Sequence, residues 1–194
     1  MVSFDKIQGF LGRNRDERQW AIRMVLSPRD VPKGWNPVSL RLVRAGKGGK
    51  SEIARRAWDA DLYAARRSFR VRPGEEFWAK ILPAATRQDA EGFPGVAPSW
   101  LRPSPDFVGS GTGPFVQVLR EAHPSLANAT FWECEVYHVP GTSVNRMIAG
   151  AVDNITFAVG IGDLSPESPW NVLTSLAIRQ ADRIREALDQ RGSM

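Results

Sequence analysis

From Asp16 to Leu26, the residues Trp20, Ile22, Met24 and Val25 stand among charged neighbours, a spacing that predicts a short helix. It should end before Ser27-Pro28, because a proline disfavours helical geometry in the residue that precedes it. Asp30 to Trp35 then reads as a turn, and Val38 to Val43 alternates apolar and polar positions as a half-buried strand does. Ala45 to Lys50 is a Gly/Lys loop, with Ser51 placed to cap the next helix. From Glu52 to about Arg70, Trp58, Leu62, Ala65 and Phe69 share one face at 100° per residue, so a long helix is expected there. A shorter helix is expected at Glu75 to Ile81.

The last third alternates more cleanly. Thr130 to Val139, Ser143 to Val152 and Thr156 to Ile161 read as strands separated by Pro140-Gly141 and Asp153-Asn154 turns. Ser168 and Pro169 supply an N-cap and a first-turn proline. Leu173, Leu176, Ala177, Gln180, Ala181, Ile184 and Leu188 then recur at helical spacing to about Asp189. The expected fold class is α+β: an antiparallel sheet with a C-terminal helix and one or two N-terminal helices packed mainly on one face. Residues 1–194 are expected to form a single domain. Within it, 82–114 is read as a long ordered crossing loop rich in Pro and aromatic residues, since a true linker rarely carries so many aromatics.

Composition changes this picture in a few places. Apolar residues at 42% and charged residues at 24% exclude disordered and collagen-like chains. No apolar stretch approaches the ~18 residues of a membrane-crossing helix, and Met-Val-Ser-Phe-Asp-Lys has no signal-peptide core. A cytoplasmic protein is therefore expected, unless a signal or anchor has been lost. Cys134 is the only cysteine and His123 and His138 the only histidines, which argues against disulfides, a zinc site or a His-dependent triad. No catalytic residue, metal or cofactor is expected. Charge is distributed unevenly: residues 13–72 hold 16 Lys and Arg against 6 Asp and Glu, whereas 73–194 hold 9 against 14. A basic half of this kind attracts anionic partners.

Asp30-Val31-Pro32-Lys33-Gly34-Trp35, Trp132-Glu133-Cys134 on a strand, Asp153-Asn154-Ile155-Thr156-Phe157-Ala158-Val159 and the terminal-helix run Ala177 to Ile184 occur in this order. In that arrangement, chiefly over residues 130–188, the chain resembles the actinobacterial PknH-like sensor domains. The resemblance implies an extracytoplasmic domain with intramolecular disulfides and a ligand cleft over its sheet. One cysteine and the absence of a secretion signal depart from that pattern.

Several segments carry candidate chemistry. Arg44 to Ser51 ends in the Gly-Lys-Ser of a phosphate-binding loop, between a predicted strand and a predicted helix, but Arg44 stands where that pattern needs glycine. Asp163, after the apolar run Phe157 to Gly162, is the one strand-end carboxylate that could serve a magnesium ion there. Gly109 to Pro114 reads as a hinge or turn. Glu133 and Glu135 share a strand face and are read as its solvent side, with Cys134 buried opposite and His138 at the strand end.

The basic face of the predicted helix, Arg55, Arg56, Arg66, Arg67, Arg70 and Arg72 with Lys47 and Lys50 adjacent, is the leading anion or partner site. Phe93, Trp100, Phe107 and Phe115 form a second, aromatic surface in the loop. The expected function is a non-catalytic binding or accessory protein that contacts a protein partner or a small-molecule ligand through both. The alternatives are a phosphate- or nucleotide-binding enzyme using residues 44–51 and a basic protein associated with nucleic acid.

Overall fold

The computed structural model describes residues 16–47, 52–90, 115–126, 129–137, 144–162 and 170–192. Its centre is a seven-stranded sheet in which every neighbouring pair is antiparallel. In chain order the elements are helix α1 (16–24), β1 (Asn36–Arg44), α2 (Glu52–Asp59), β2 (Tyr63–Arg72), β3 (Glu75–Pro83), β4 (Phe115–Leu126), β5 (Ala129–Tyr137), β6 (Val144–Val152), β7 (Ile155–Gly162) and α3 (Trp170–Gly192). The strands lie in the order β1-β2-β3-β7-β6-β5-β4, so a three-strand meander and a four-strand meander meet at the β3–β7 pair. This is the expected α+β class, with the terminal helix over the central strands.

Two expected helices are corrected. The helix over Glu52–Arg70 stops at Asp59, and Tyr63–Arg72 is strand β2. The stop is a left-handed cap made without glycine. Asp61 adopts φ 56° and donates its amide to Trp58 O at 3.0 Å, while Leu62 N donates to Ala57 O at 3.3 Å. These are the two bonds that close a helix with its last carbonyls satisfied. Once past Asp61, the chain alternates: Tyr63, Ala65, Phe69 and Val71 turn to the core, and Arg67 among them obscures the pattern. The helix expected at Glu75–Ile81 is instead β3, joined to β2 through Pro73-Gly74, with Gly74 at φ 82° in the position where a type II turn needs glycine. The crossing loop expected from residue 82 begins later, since Leu82 and Pro83 complete β3. Residues 87–90 form a short helical stretch, and 91–114 lie outside the described residues. Strand β4 is an addition to the expected three-strand meander.

One face of the sheet carries the main core. Phe69, Phe77, Ile81, Val159 and Phe157 pack beneath Leu173, Ala177, Ala181 and Ile184 of α3 and beside Trp20, Met24 and Leu26 of the N-terminal segment. Trp35 closes it at one side, its ring centroid 5.2 Å from that of Phe77. Polar groups on this face tie elements together. The buried Gln180 donates to Met24 O at 2.6 Å and accepts from Leu26 N at 3.1 Å. Arg67 donates to Leu26 O at 3.1 Å, and Arg183 donates to Arg23 O at 2.7 Å. Carbonyls at the C-terminal end of α1 thus find donors on α3, and that of Leu26, just beyond it, finds one on β2.

Asp30 completes the clamp. Its carboxylate accepts from Ser27 N and Oγ, Arg179 and Arg183. Burial alone would raise its pKa, but the Ser27 and Arg bonds outweigh burial and hold it below the ordinary aspartate value.

Candidate functional site

The second face of the sheet, opposite α3, differs along its length. At β6 and β7 it is lined by small buried residues, Ala149, Ala151, Thr156 and Ala158, and residues 84–90 lie against it: Asn154 Nδ2 donates to Ala84 O at 3.0 Å and Ala84 N to Asn154 O at 2.8 Å. At β1, β2 and β3 it is cationic. The register places Arg41 opposite Arg66 and Arg66 opposite Lys80, continuing to Ala158 on β7 and Ala149 on β6. Three cations therefore occupy one cross-strand row on three adjacent strands. Like charges directly opposite one another in a sheet destabilise it, so this row costs the fold something.

The row borders a cavity of about 350 Å³, with Lys47 at its rim and Val43, Ala64 and Leu82 as apolar wall. None of its described lining residues is acidic. Arg66 is held over the Trp78 ring, 5.4 Å from its centroid, a separation at which a guanidinium is attracted to an indole face. Trp78 in turn lies on Gly160, its direct partner on β7, where a Cβ would come within 2.5 Å of the indole. Burial depresses the Lys80 pKa, and the neighbouring Arg66 adds to the effect.

The segment read as a phosphate-binding loop is built differently from one. Ala45 N donates to Leu62 O at 2.7 Å and Lys47 N to Arg44 O at 3.3 Å, so these amides serve the turn. Gly46, at φ 75°, backs onto α2, where a Cβ would meet Ala54 O at 1.9 Å. Arg44 is also committed: it donates to Trp58 O at 2.9 Å, forms a 3.0 Å ion pair with Asp61, and lies 4.0 Å from the centroid of the Trp58 ring. With two of its amides taken by the turn, this segment lines the cavity through Arg44, Ala45, Gly46 and Lys47. Lys50, Ser51 and Asp163 lie outside the described residues, as do the segment 109–114 and His138.

The basic helix face expected over residues 55–70 is divided by the strand. Arg55 is exposed on α2, and Arg56 is paired with Glu52 at 2.7 Å and with Asp89 of the 87–90 stretch. That pairing holds the Asp89 pKa below the ordinary aspartate value. Arg67 turns to the core face and Arg66 to the second face, because adjacent strand residues point opposite ways. Arg70 is exposed opposite Glu76, and Arg72 pairs with Glu75. The structure thus gathers Lys47 and Arg66 from the expected set and adds Arg41 and Lys80, which the sequence reading missed.

Of the aromatic set, Phe93, Trp100 and Phe107 lie outside the described residues, and Phe115 opens β4 opposite Tyr137. Glu133 and Glu135 stand on β5 in register with Ile148 and Arg146, with Cys134 between them. Among the described residues no group of three His, Cys, Asp or Glu side chains is placed to hold a metal ion, and no helix is long and apolar enough to cross a membrane.

No family model matches the chain, and no curated protein matches it. Among solved structures it is similar to an uncharacterized Mycobacterium smegmatis protein described as the Rv0999 ortholog, at 13% identity and a TM-score of 0.37, over 83% of this chain and 84% of that one.

Proposed function

We propose that this is a non-catalytic binding or accessory protein that holds an anionic partner or ligand on the second face of its sheet. The observation that carries the reading is the cross-strand row Arg41, Arg66 and Lys80 opening into one cavity. A fold seldom sets three cations side by side for stability, and a concave site of this size suits a ligand. The PknH-like resemblance, chiefly over residues 130–188, carries the expectation of a ligand cleft over the sheet and so agrees with a binding role. The aromatic segment from Phe93 to Phe115 would supply further contact surface.

The reading is tested by isolating the tagged wild-type protein and its Arg66→Met/Lys80→Met variant from native cells, side by side, under washes of rising ionic strength. The wild type should retain an anionic molecule that salt releases and the variant does not hold, since exposed charge contacts are screened as the Debye length shrinks. The released molecule should rebind fresh protein unchanged, as a ligand does and a turned-over substrate does not. Equal retention by both proteins would refute the reading.

A further inference from the structure

The cavity constrains what kind of anion it accepts. A carboxylate is satisfied by the fork of a single guanidinium, whereas a phosphoryl group carries close to two negative charges and offers three acceptor oxygens. Three cationic residues in one row line the cavity from three strands, joined by Lys47 and by Arg44, whose charge is paired with Asp61. Their geometry is partly preset: Arg66 is held against Trp78, and Trp78 is seated on Gly160. Lys80 is half-buried on the same row, directly opposite Arg66. The remaining wall is apolar, formed by Val43, Ala64 and Leu82, and the volume of about 350 Å³ falls at the lower end of small-ligand pockets.

We infer that this cavity binds a small organic phosphate ester, the phosphoryl group lying across Arg41, Arg66 and Lys80 and a compact apolar body resting on Val43, Ala64 and Leu82. The inference rests on the reading of this face as a binding surface. It separates the site from a nucleic-acid groove, which would track successive phosphates along an open basic stripe. Strand β2 instead sends Arg66 and Arg67 to opposite faces.

Phenyl phosphate is the probe, titrated calorimetrically into the full chain, with inorganic phosphate and benzoate as comparators. One equivalent of phenyl phosphate should bind about tenfold or more tighter than either comparator, since benzoate lacks the second charge and inorganic phosphate lacks the apolar body. Lys80→Met should weaken it about tenfold or more, as should Arg41→Met, whose exposed site on the edge strand keeps that variant folded if Lys80→Met is not. Arg70→Met, on β2 but outside the cavity, should bind as the wild type does. No binding of phenyl phosphate at millimolar concentration, or equal binding by wild type, Lys80→Met and Arg41→Met, would overturn the inference. If phenyl phosphate fails while the anion retained from cells is still lost from Arg66→Met/Lys80→Met, the binding reading stands without the phosphate ester. If both fail, both fall.

Discussion

The two faces of strands β2 and β3 are written by alternate residues of the same segments, yet they obey different rules. On the α3 side, Ala65, Phe69, Phe77 and Ile81 are buried, and the cations present have definite acceptors: Arg67 in the Leu26 carbonyl, Arg179 and Arg183 in Asp30. On the other side, Arg66 and Lys80 face each other with Arg41 beyond, around an open cavity. Polar groups on the first face satisfy the fold. The second sets three cations in one cross-strand row beside a cavity, and the proposed binding reading rests on that row.

Substitutions should separate the faces, with the largest effect on the covered one. Phe77→Ala removes a fully buried ring at the meeting of Trp35, Phe69 and α3, and should cost about 3–5 kcal/mol in urea unfolding. Any folded Phe77→Ala protein should still bind phenyl phosphate, and loss of binding at preserved fold would show that the two faces are not independent.

Asp30→Asn should cost about 1–3 kcal/mol at neutral pH, because the carboxylate anchors Arg179 and Arg183 to the Ser27 turn. Its depressed pKa fixes the sign of the pH dependence. The stabilisation is fully present above the ordinary aspartate value and is lost as pH falls through the lower folded value. Denaturation curves across the acid range should therefore be flatter for Asp30→Asn than for the wild type, and parallel curves would remove Asp30 from the account.

A smaller effect is expected at Gly160. An added methyl there meets the Trp78 indole at 2.5 Å, so Gly160→Ala must displace Trp78 and, through it, Arg66. The stability cost should be about 1–2 kcal/mol, with phenyl phosphate binding weakened by about three- to tenfold. Unchanged binding with a displaced indole, read by tryptophan fluorescence, would show that the stack does not position Arg66.

How much of this was legible in the sequence depends on whether one face of an element meets solvent. The strands β6 and β7, the terminal helix and β1 carried clear periodicity and turn residues, and each lies close to its expected place. Strands β2 and β3 did not. Arg67 occupies an inward position because a carbonyl of the N-terminal segment needs a donor, and Trp78 and Leu82 occupy outward positions because that side holds a stack and a cavity wall rather than water. Both departures blur a period of two, and good helix formers such as Ala64, Ala65, Arg66 and Arg67 then imitate a helix. Asp61 hid the helix stop by doing what glycine usually does.

The candidate site was half legible for a related reason. Lys47 and Arg66 stood out as members of a basic run, but Arg41 and Lys80 join them only through strand register, which no local pattern encodes.

The division of labour between the faces is tested most directly by the unfolding free energy of Lys80→Met and wild type, each with and without phenyl phosphate. Without the ligand, Lys80→Met removes one like-charge pair of the row, and its stability should lie within about 1 kcal/mol of the wild type's. Phenyl phosphate at ten times its Kd should stabilise the wild type by about 1.4 kcal/mol and leave Lys80→Met nearly unmoved. A Lys80→Met protein that is clearly less stable than wild type, and still stabilised by the ligand to the same extent, would show that Lys80 serves the fold and that the second face is not the binding face.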